Sequence, residues 1–464
     1  MNLSEARSCH RWAYETFGGT ECGDRRRIRR LVAVAGTLAS RPAGTVTEVF
    51  DSSAEREGAY RLLSNGALSA SELTRAMCDA TARQCASLPR IYIAVDGSSL
   101  ALTERTRGRG LGCVGAWKDC GRGLQVITAL AMSDQGISVG VLAQTWWART
   151  ERSPKRRPSK RKLGEKETRF MLSTVDDALQ RAREQCPDTL AIAVMDRGFD
   201  CWPILRMATD GAHFVLRAKA NRRLLDGPRG GRRYLHQTLC SQPVRGSYDV
   251  LVPKRGDRAE RVARMHVRTA RVTIELRVSK RGREHVTLNA VLAREVGGPK
   301  GASLSWCLLT TEPIDTFEQA IDIVRAYSFR WRIEELHRAW KRGDCNVEDT
   351  QLRSRDAIIR WATLHVAVAA RAVRLAQLAR STPEAPASQE FAQVEIDAAI
   401  ALRKKHTKLN FGDVPPLGDF VRMVADLGGY TGKSSGGPPG PTVIARGLER
   451  LGIAAQTLEA VLKK

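Results

Sequence analysis

The chain has 464 residues, and its 75 Lys and Arg against 50 Asp and Glu give a formal net charge of +25. This length predicts about three domains, and the positive charge indicates a polyanionic partner, either nucleic acid or an anionic membrane surface. No apolar stretch approaches the roughly 20 residues of a membrane-spanning helix, and the N-terminus lacks a secretory apolar segment. Eleven cysteines without a C-x-x-C pair favour reduced thiols over a disulfide scaffold or zinc ribbon. The composition predicts a cytoplasmic protein that handles nucleic acid.

Residues 1–85 are predicted to form a basic helical module. The run Arg25, Arg26 and Arg27 leads into an apolar stretch that is typical of a helix. Such an arginine-rich face suits contacts with DNA phosphates, and the alternative is an ordinary solvated helix surface. Two further helices are expected to follow, at Glu55–Leu63 and Ser71–Ala86.

The next region predicts an α/β core. The runs Ile91–Val95 and Leu190–Met195 are apolar at every position, which indicates strands buried on both faces of a helix-covered sheet. Each run is expected to end at an aspartate, Asp96 or Asp196. Between them we expect a hairpin, a basic linker and a helix; the hairpin strands are Leu124–Ser133 and Ile137–Trp146, and the linker is Arg149–Lys166.

The second half of the chain changes texture twice. Residues 214–310 alternate polar and apolar side chains, which predicts an antiparallel β-rich insertion with one wet face. After Asp315 we expect a long helix to about Lys341 and a second helix across Arg353–Arg380. The G-x-G-x-x-G match at Gly110–Gly115 lacks the adjoining strand and helix, so dinucleotide binding is disfavoured.

The long predicted helix has two distinct faces. Its apolar residues fall on one side, namely Phe329, Ile333, Leu336 and Trp340. At about 100° per residue, four polar residues share a sector about 60° wide on the other side: Tyr327, Arg330, Glu334 and Lys341. An amphipathic helix with incidental ion pairs is the plainer interpretation, but it leaves this clustering to chance.

Three carboxylates are the candidate catalytic groups. Phosphodiester cleavage requires positive charge at the attacking and leaving oxygens, and two Mg²⁺ ions held by carboxylates supply it. Asp96, Asp196 and Glu334 are predicted to be these ligands. Aspartates are also common in turns that end strands, and this is the alternative for each one alone.

The spacing Tyr327-x2-Arg330-x3-Glu334-x6-Lys341 resembles the signature of the insertion-sequence-four family of bacterial DDE transposases, which cut and paste DNA. Further segments are similar to that family: Glu57–Arg61, Leu304–Thr310, Leu427–Tyr430 and Arg446–Leu448. Relatives often carry Thr-Thr after the first aspartate and Asp-Arg-Glu at the second. This chain instead has Gly97-Ser98 and Asp196-Arg197-Gly198.

The resemblance implies an RNase H-like catalytic core across residues 86–380, with the β-strand insertion, a DNA-end-binding domain at 1–85 and a dimerising helical region at 381–464. It implies two Mg²⁺ ions, for which Mn²⁺ would substitute, on the triad Asp96, Asp196 and Glu334. DNA contacts would come from Tyr327, Arg330, Arg338, Lys341, Trp306, Arg25, Arg26, Arg27 and Arg61, with Trp306 stacking on a flipped base.

The leading hypothesis is therefore a homodimeric transposase that acts on double-stranded DNA at the bacterial nucleoid. Two alternatives stay open on sequence grounds. One is an RNase H-like nuclease or resolvase without strand transfer, and the other is a catalytically silent DNA-binding inhibitor of transposition.

Overall fold

The computed structural model describes most of the chain, and the basic linker expected at 149–166 lies mostly outside the described part. The described residues are 8–103, 109–116, 121–150, 161–225, 233–254, 259–278, 282–299, 303–343, 345–403, 407–432 and 437–462.

The helices of the described residues are these: α1 (Ser8–Phe17), α2 (Arg25–Ser40), α3 (Val46–Val49), α4 (Ser53–Ser64), α5 (Ala70–Cys85), α6 (Thr168–Gln185), α7 (Trp202–Arg206), α8 (Leu235–Cys240), α9 (Phe317–Phe329), α10 (Trp331–Arg342), α11 (Arg355–Ser381), α12 (Gln393–Leu402), α13 (Leu417–Leu427) and α14 (Pro441–Leu462). The strands are β1 (Arg90–Ala101), β2 (Gly112–Val114), β3 (Gly121–Ser133), β4 (Ser138–Trp147), β5 (Leu190–Met195), β6 (His213–Arg217), β7 (Arg223–Leu224), β8 (Arg233–Tyr234), β9 (Gly246–Val252), β10 (Arg261–Arg277), β11 (Arg283–Glu295) and β12 (Ser305–Thr310).

All twelve described strands belong to one mixed sheet. The main path runs β2-β3-β1-β5-β6-β12-β11-β10-β7-β8, with β4 added beside β3 and β9 added beside β10. The pairs β1–β5 and β5–β6 are parallel, and the remaining pairs are antiparallel. The strands between residues 213 and 310 thus extend the same sheet that holds β1 and β5.

The central strands are buried on both faces, as their uninterrupted apolar runs predict. In β1, Ile91, Ile93 and Val95 join the apolar cluster that includes α6 residues. Tyr92 and Ala94 alternate with them and join the cluster on the opposite face, which includes residues of α2, α5, α10 and α11. The sheet is therefore a middle layer with helices on both sides, and the predicted α/β core is confirmed.

Several elements match the sequence expectations closely. The hairpin is confirmed as the antiparallel pair β3–β4. The helices expected near residues 55–63, 71–86 and 353–380 are present as α4, α5 and α11. A third apolar cluster lies within residues 375–455 and joins the end of α11 to α12, α13 and α14. None of the described helices is long and apolar enough to cross a membrane.

Three expectations were wrong. First, β1 does not end at Asp96 but continues to Ala101, because the long strand β3 keeps pairing with it after β5 has ended. Second, the single helix expected up to Lys341 is divided at Arg330 into α9 and α10. Third, Cys113 is disulfide-bonded, so the lack of a C-x-x-C motif did not mean that all the thiols are reduced.

Candidate active site

Parallel pairing brings the two aspartates to the same edge of the sheet. Val95 of β1 lies opposite Met195 of β5, so the residues that follow them, Asp96 and Asp196, emerge side by side. Both side chains line an open groove of about 530 Å³ together with Trp147, Arg149, Glu167 and other residues. The structure thus brings the two aspartates together at one groove.

Asp96 is held in place by two hydrogen bonds. Its Oδ1 accepts from the backbone N–H of Gly97 at 2.8 Å, and its Oδ2 accepts from the guanidinium of Arg330 at 3.2 Å. Burial, followed by repulsion from Asp196, raises the pKa of Asp96 to about 6, although Arg330 and the Gly97 N–H oppose that shift. The two aspartates therefore form an electrostatically unfavourable pair that a nearby cation would stabilise.

Asp196 begins the short 3₁₀ turn that follows β5. Its Oδ1 accepts from the N–H of Gly198 at 2.7 Å, which satisfies a free donor at the start of that turn. A Cβ added to Gly198 would lie 3.0 Å from the same oxygen, so a larger residue would crowd this contact. The glycine in the Asp-Arg-Gly segment therefore allows the backbone to approach the carboxylate closely.

A buried carboxylate that the sequence analysis did not single out supports this turn. The side chain of Asp200 is fully buried and pairs with Arg222. Its Oδ2 accepts from the backbone N–H of Lys219 at 2.7 Å and of Ala220 at 3.2 Å. Asp200 thus ties the segment after Asp196 to the connection between β6 and β7. The Asp-Arg-Gly-Phe-Asp spacing is the only signal in the sequence, and it does not reveal the distant partners.

Glu334 lies on the first turn of α10, and its carboxylate is engaged by Arg330. The guanidinium of Arg330 donates to Oε1 of Glu334 at 2.5 Å and to Asp96 at 3.2 Å, so it bridges a helix and a strand. Burial disfavours the charge of Arg330, but the hydrogen bond to Glu334 and the attraction of Asp96 raise its pKa above the ordinary value. The predicted proximity of Arg330 and Glu334 is confirmed.

The other residues of the predicted polar stripe separate from this pair. Tyr327 is buried, and its ring contacts Trp306 edge-on with centroids 5.9 Å apart. Lys341 Nζ lies 3.4 Å from Oε1 of Glu348, an atom that also accepts from the N–H of Ala101 at 2.8 Å. Arg338 is exposed. Tyr327 therefore lies in the core, whereas Lys341 is half-buried and the neighbouring Arg338 is exposed.

The remaining predicted DNA contacts lie on the N-terminal helices. Arg25 and Arg26 are exposed at the start of α2, whereas Arg27 is half-buried and donates to the carbonyl of Cys22 at 2.7 Å. Arg61 is exposed on α4, where it pairs with Glu57. These arginines come from a part of the chain separate from the groove.

Trp331, directly after Arg330, was missed by the sequence analysis although its side chain is about half exposed. Exposed aromatic rings suit stacking on bases. The sequence did contain a signal for this exposure, because Trp331 directly follows Arg330 and does not belong to the apolar face of the predicted helix.

The donor chemistry of this site fits a hard divalent cation in part. Asp96 and Asp196 offer carboxylate oxygens at one groove, and carboxylates are the ligands that Mg²⁺ prefers. Among the described residues, however, no three carboxylate, histidine or cysteine side chains are grouped closely enough to hold a metal ion. Glu334 does not join the aspartates in this arrangement, because its carboxylate is bonded to Arg330.

Comparison with known protein families agrees with this geometry. Residues 9–68 match the family model "Transposase DNA-binding", and residues 166–370 match the family model "Transposase DDE domain". The first match covers the exposed arginines of α2 and α4. The second covers Asp196 and Glu334 and implies an RNase H-like fold for the part of the chain that contains them, whereas Asp96 precedes it. Together the two matches support a DDE transposase that binds DNA.

Proposed function

We propose that this protein is a cut-and-paste transposase of the insertion-sequence-four group, which cleaves DNA at the ends of its element and joins them to target DNA. One observation carries the proposal. Asp96 and Asp196 meet in one groove, Arg330 links Asp96 to Glu334, and the chain matches a transposase DNA-binding model over residues 9–68 and a transposase DDE model over residues 166–370. Hydrolysis at the element end and attack by the freed 3′-OH on target DNA are two uses of the same site.

The carboxylates would hold Mg²⁺, with Mn²⁺ as a substitute, and the bound ions would stabilise charge on the attacking and leaving oxygens. Asp96 and Asp196 are the natural first ligands because they lie side by side in the groove, where a cation would relieve the repulsion between them. Glu334 would complete the set after release from Arg330. The hydrogen bonds from Gly97 and Gly198 keep the two aspartates oriented, so these two carboxylates would need little reorganisation before catalysis.

The remaining predicted residues would position DNA. Arg330, Arg338 and Lys341 would contact phosphates near the scissile bond, while Tyr327 supports Trp306 for stacking on a displaced base. The exposed arginines Arg25, Arg26 and Arg61, together with Arg27, would contact phosphates of the element end. Phosphate contacts set register and contribute affinity, but they do not specify a base sequence.

The domain assignment belongs to the same proposal. Residues 1–85 would bind the ends, residues 86–380 would catalyse, with the strands of 214–310 as an insertion, and residues 381–464 would pair two protomers. A homodimer that holds two element ends would act on chromosomal DNA at the nucleoid in the bacterial cytoplasm.

The decisive experiment incubates the protein with paired element ends, target DNA and Mg²⁺, and follows cleaved and joined products on a gel. We expect joined products from the wild type. Asp96→Ala, Asp196→Ala and Glu334→Ala should each abolish cleavage while DNA binding is retained, because they remove charge at the reacting phosphate only. Substantial cleavage by any of these variants would contradict the assignment.

Glu335→Ala is the matched control. Glu335 lies one residue further along α10, where it accepts hydrogen bonds from Arg332 and Gln377. It has no contact with the aspartates among the described interactions, so its variant should cleave. Cleavage without joining would favour a nuclease or resolvase, and binding without either reaction would favour a silent inhibitor.

A further inference from the structure

Arg330 occupies an unusual position at the centre of the candidate site. It lies at the junction where α9 ends and α10 begins, and its guanidinium reaches Asp96 at 3.2 Å and Glu334 at 2.5 Å. These two carboxylates come from elements 238 residues apart in the chain. Arg330 is thus the described side chain that joins the strand side of the site to the helix side.

The side chains of Arg330, Asp96 and Glu334 differ in how much of their surface is exposed. The side chain of Arg330 is 13% exposed, whereas those of Asp96 and Glu334 are 24% and 31% exposed. The arginine is therefore less accessible to solvent than the two carboxylates that it binds. A planar guanidinium fork can bind two carboxylates at once, and within a partly desolvated site such bonds are stronger than in water.

The charges of this arrangement create a competition. Asp96, Asp196 and Glu334 carry three formal negative charges, and Arg330 neutralises one of them from within the protein. A divalent cation would need the oxygens that Arg330 now binds, and it would be repelled by the guanidinium beside them. A DNA phosphate, in contrast, attracts the guanidinium and offers the bidentate geometry that arginine favours.

We propose that Arg330 is a positioning residue that holds the Glu334 carboxylate while the protein is free of DNA. When DNA binds, a phosphate draws the Arg330 guanidinium away from Glu334. The divalent cation and DNA therefore bind cooperatively. This inference rests on the proposed function, because it assumes that the carboxylates bind metal. It adds a prediction that the activity alone does not make: the DNA-free protein binds metal weakly because Arg330 is in place.

The test is Mn²⁺ binding to the full-length protein, measured from the electron paramagnetic resonance signal of free Mn²⁺ without DNA. Arg330→Gln should bind Mn²⁺ about 5–150-fold more tightly than the wild type, the range typical of coupling between two sites. Arg330→Lys should fall between them, since lysine keeps the charge but cannot bridge both carboxylates. Unfolding midpoints of all variants establish that each is folded.

Arg332→Gln is the matched control, because it removes the same charge two residues further along the chain, in the first turn of α10. The guanidinium of Arg332 donates to a different carboxylate, that of Glu335, with distances of 3.0 and 3.1 Å to its two oxygens. Its variant should bind Mn²⁺ like the wild type. Equal affinities of Arg330→Gln and the wild type, or an equal gain from Arg332→Gln, would overturn the proposal.

Two additions separate this inference from the function on which it rests. Adding Asp196→Asn to Arg330→Gln should abolish the gained binding, and a gain that persists would overturn the proposal by locating the metal elsewhere. With a duplex of the element end, corrected for Mn²⁺ bound to free DNA, the wild type should gain affinity and Arg330→Gln should not. If the proposed function fails, the variants Asp96→Ala, Asp196→Ala and Glu334→Ala will still cleave DNA. If only this inference fails, those three variants will remain unable to cleave, and only the Mn²⁺ affinities will differ from expectation.

Discussion

Two arginines with carboxylates nearby, the half-buried Arg330 and the buried Arg371, serve different purposes in this molecule. Arg371 of α11 donates to Ser8 Oγ at 2.8 Å and Cys9 Sγ at 3.2 Å on α1. Ser8 in turn donates to both oxygens of Glu395 on α12, at 2.9 and 3.1 Å. Arg330 bonds directly to two carboxylates, one of which, Asp96, lines an open groove.

The difference lies in what else could satisfy the partners. The polar groups around Arg371 are themselves buried and are linked to one another across three helices, although Ser8 and Arg371 also border a cavity of about 790 Å³. The carboxylates around Arg330 are partly exposed and can exchange the arginine for a cation from solution. We therefore expect an arginine to be structural where its partners are themselves buried, and exchangeable where its partners are partly exposed.

The largest effect expected from this comparison is on stability. Arg371→Ala leaves Glu395 buried without its compensating charge, so the free energy of unfolding should fall by about 3–5 kcal/mol. Urea unfolding followed by circular dichroism measures the change. Arg374→Ala is the control, since Arg374 pairs with Glu390 at 3.1 Å and is partly exposed; it should lose about 1 kcal/mol or less. A loss from Arg371→Ala no larger than that of the control would contradict the structural role.

A buried group without a partner extends the comparison to α10 itself. His337 is buried, its Nε2 has no hydrogen-bond partner among the described residues, and burial together with Lys341 lowers its pKa to about 4. In the unfolded chain the pKa is about 6.5, so only the unfolded state gains a proton between these values. Stability from neutral His337 is complete above pH 6.5 and is lost as the pH falls towards 4.

His337→Leu removes this titration. Between pH 7 and pH 4 the wild type should lose up to about 3 kcal/mol more stability than the variant, because each pKa unit corresponds to 1.36 kcal/mol. Urea unfolding of both proteins at a series of pH values measures the difference. Parallel pH profiles would mean that His337 is protonated equally in the folded and unfolded states.

Trp306 is the next residue to test, because it could either contact DNA or pack in the core. Its ring is half-buried against Tyr327, and stacking on a displaced base is worth about 1–3 kcal/mol. If cleavage proceeds through a DNA hairpin, Trp306→Ala should nick DNA normally and accumulate nicks, with hairpin formation about 5–150-fold slower; Trp306→Phe should retain most of the rate. A folded Trp306→Ala protein that forms hairpins normally would exclude stacking, and a loss of several kcal/mol in stability would show a core role.

The smallest expected effect is on the salt dependence of DNA binding, and it concerns the arginines at the start of α2. Binding to the element end should weaken with salt, with a log–log slope of about −0.9 per neutralised phosphate. Replacing Arg25, Arg26 and Arg27 together by glutamine should make that slope shallower by up to about three such increments, as measured by fluorescence anisotropy. An unchanged slope would identify these arginines as a solvated helix surface.

The pairing of Asp96 with Asp196 could be predicted from the sequence because it depends on short-range information. Two runs that are apolar at every position predicted buried strands, and parallel strands present their following residues at one edge. The contact between Arg330 and Glu334 was predictable for a similar reason, since residues four apart on a helix are neighbours. The support of Asp196 by Asp200 and Arg222 was not, because it depends on a loop more than twenty residues away.

The sequence by itself therefore determined the α/β core, the two aspartates at one sheet edge, and the cation beside Glu334, since periodicity and spacing act within a few residues. Only the tertiary structure decided that β1 continues past Asp96, because β3 supplies a partner there. It also decided that Tyr327 turns into the core against Trp306, and that Arg330 bridges Asp96 and Glu334. Apart from the contact between Arg330 and Glu334, these contacts join residues between 21 and 234 positions apart in the chain, and packing selects them from many partners that local pattern cannot distinguish.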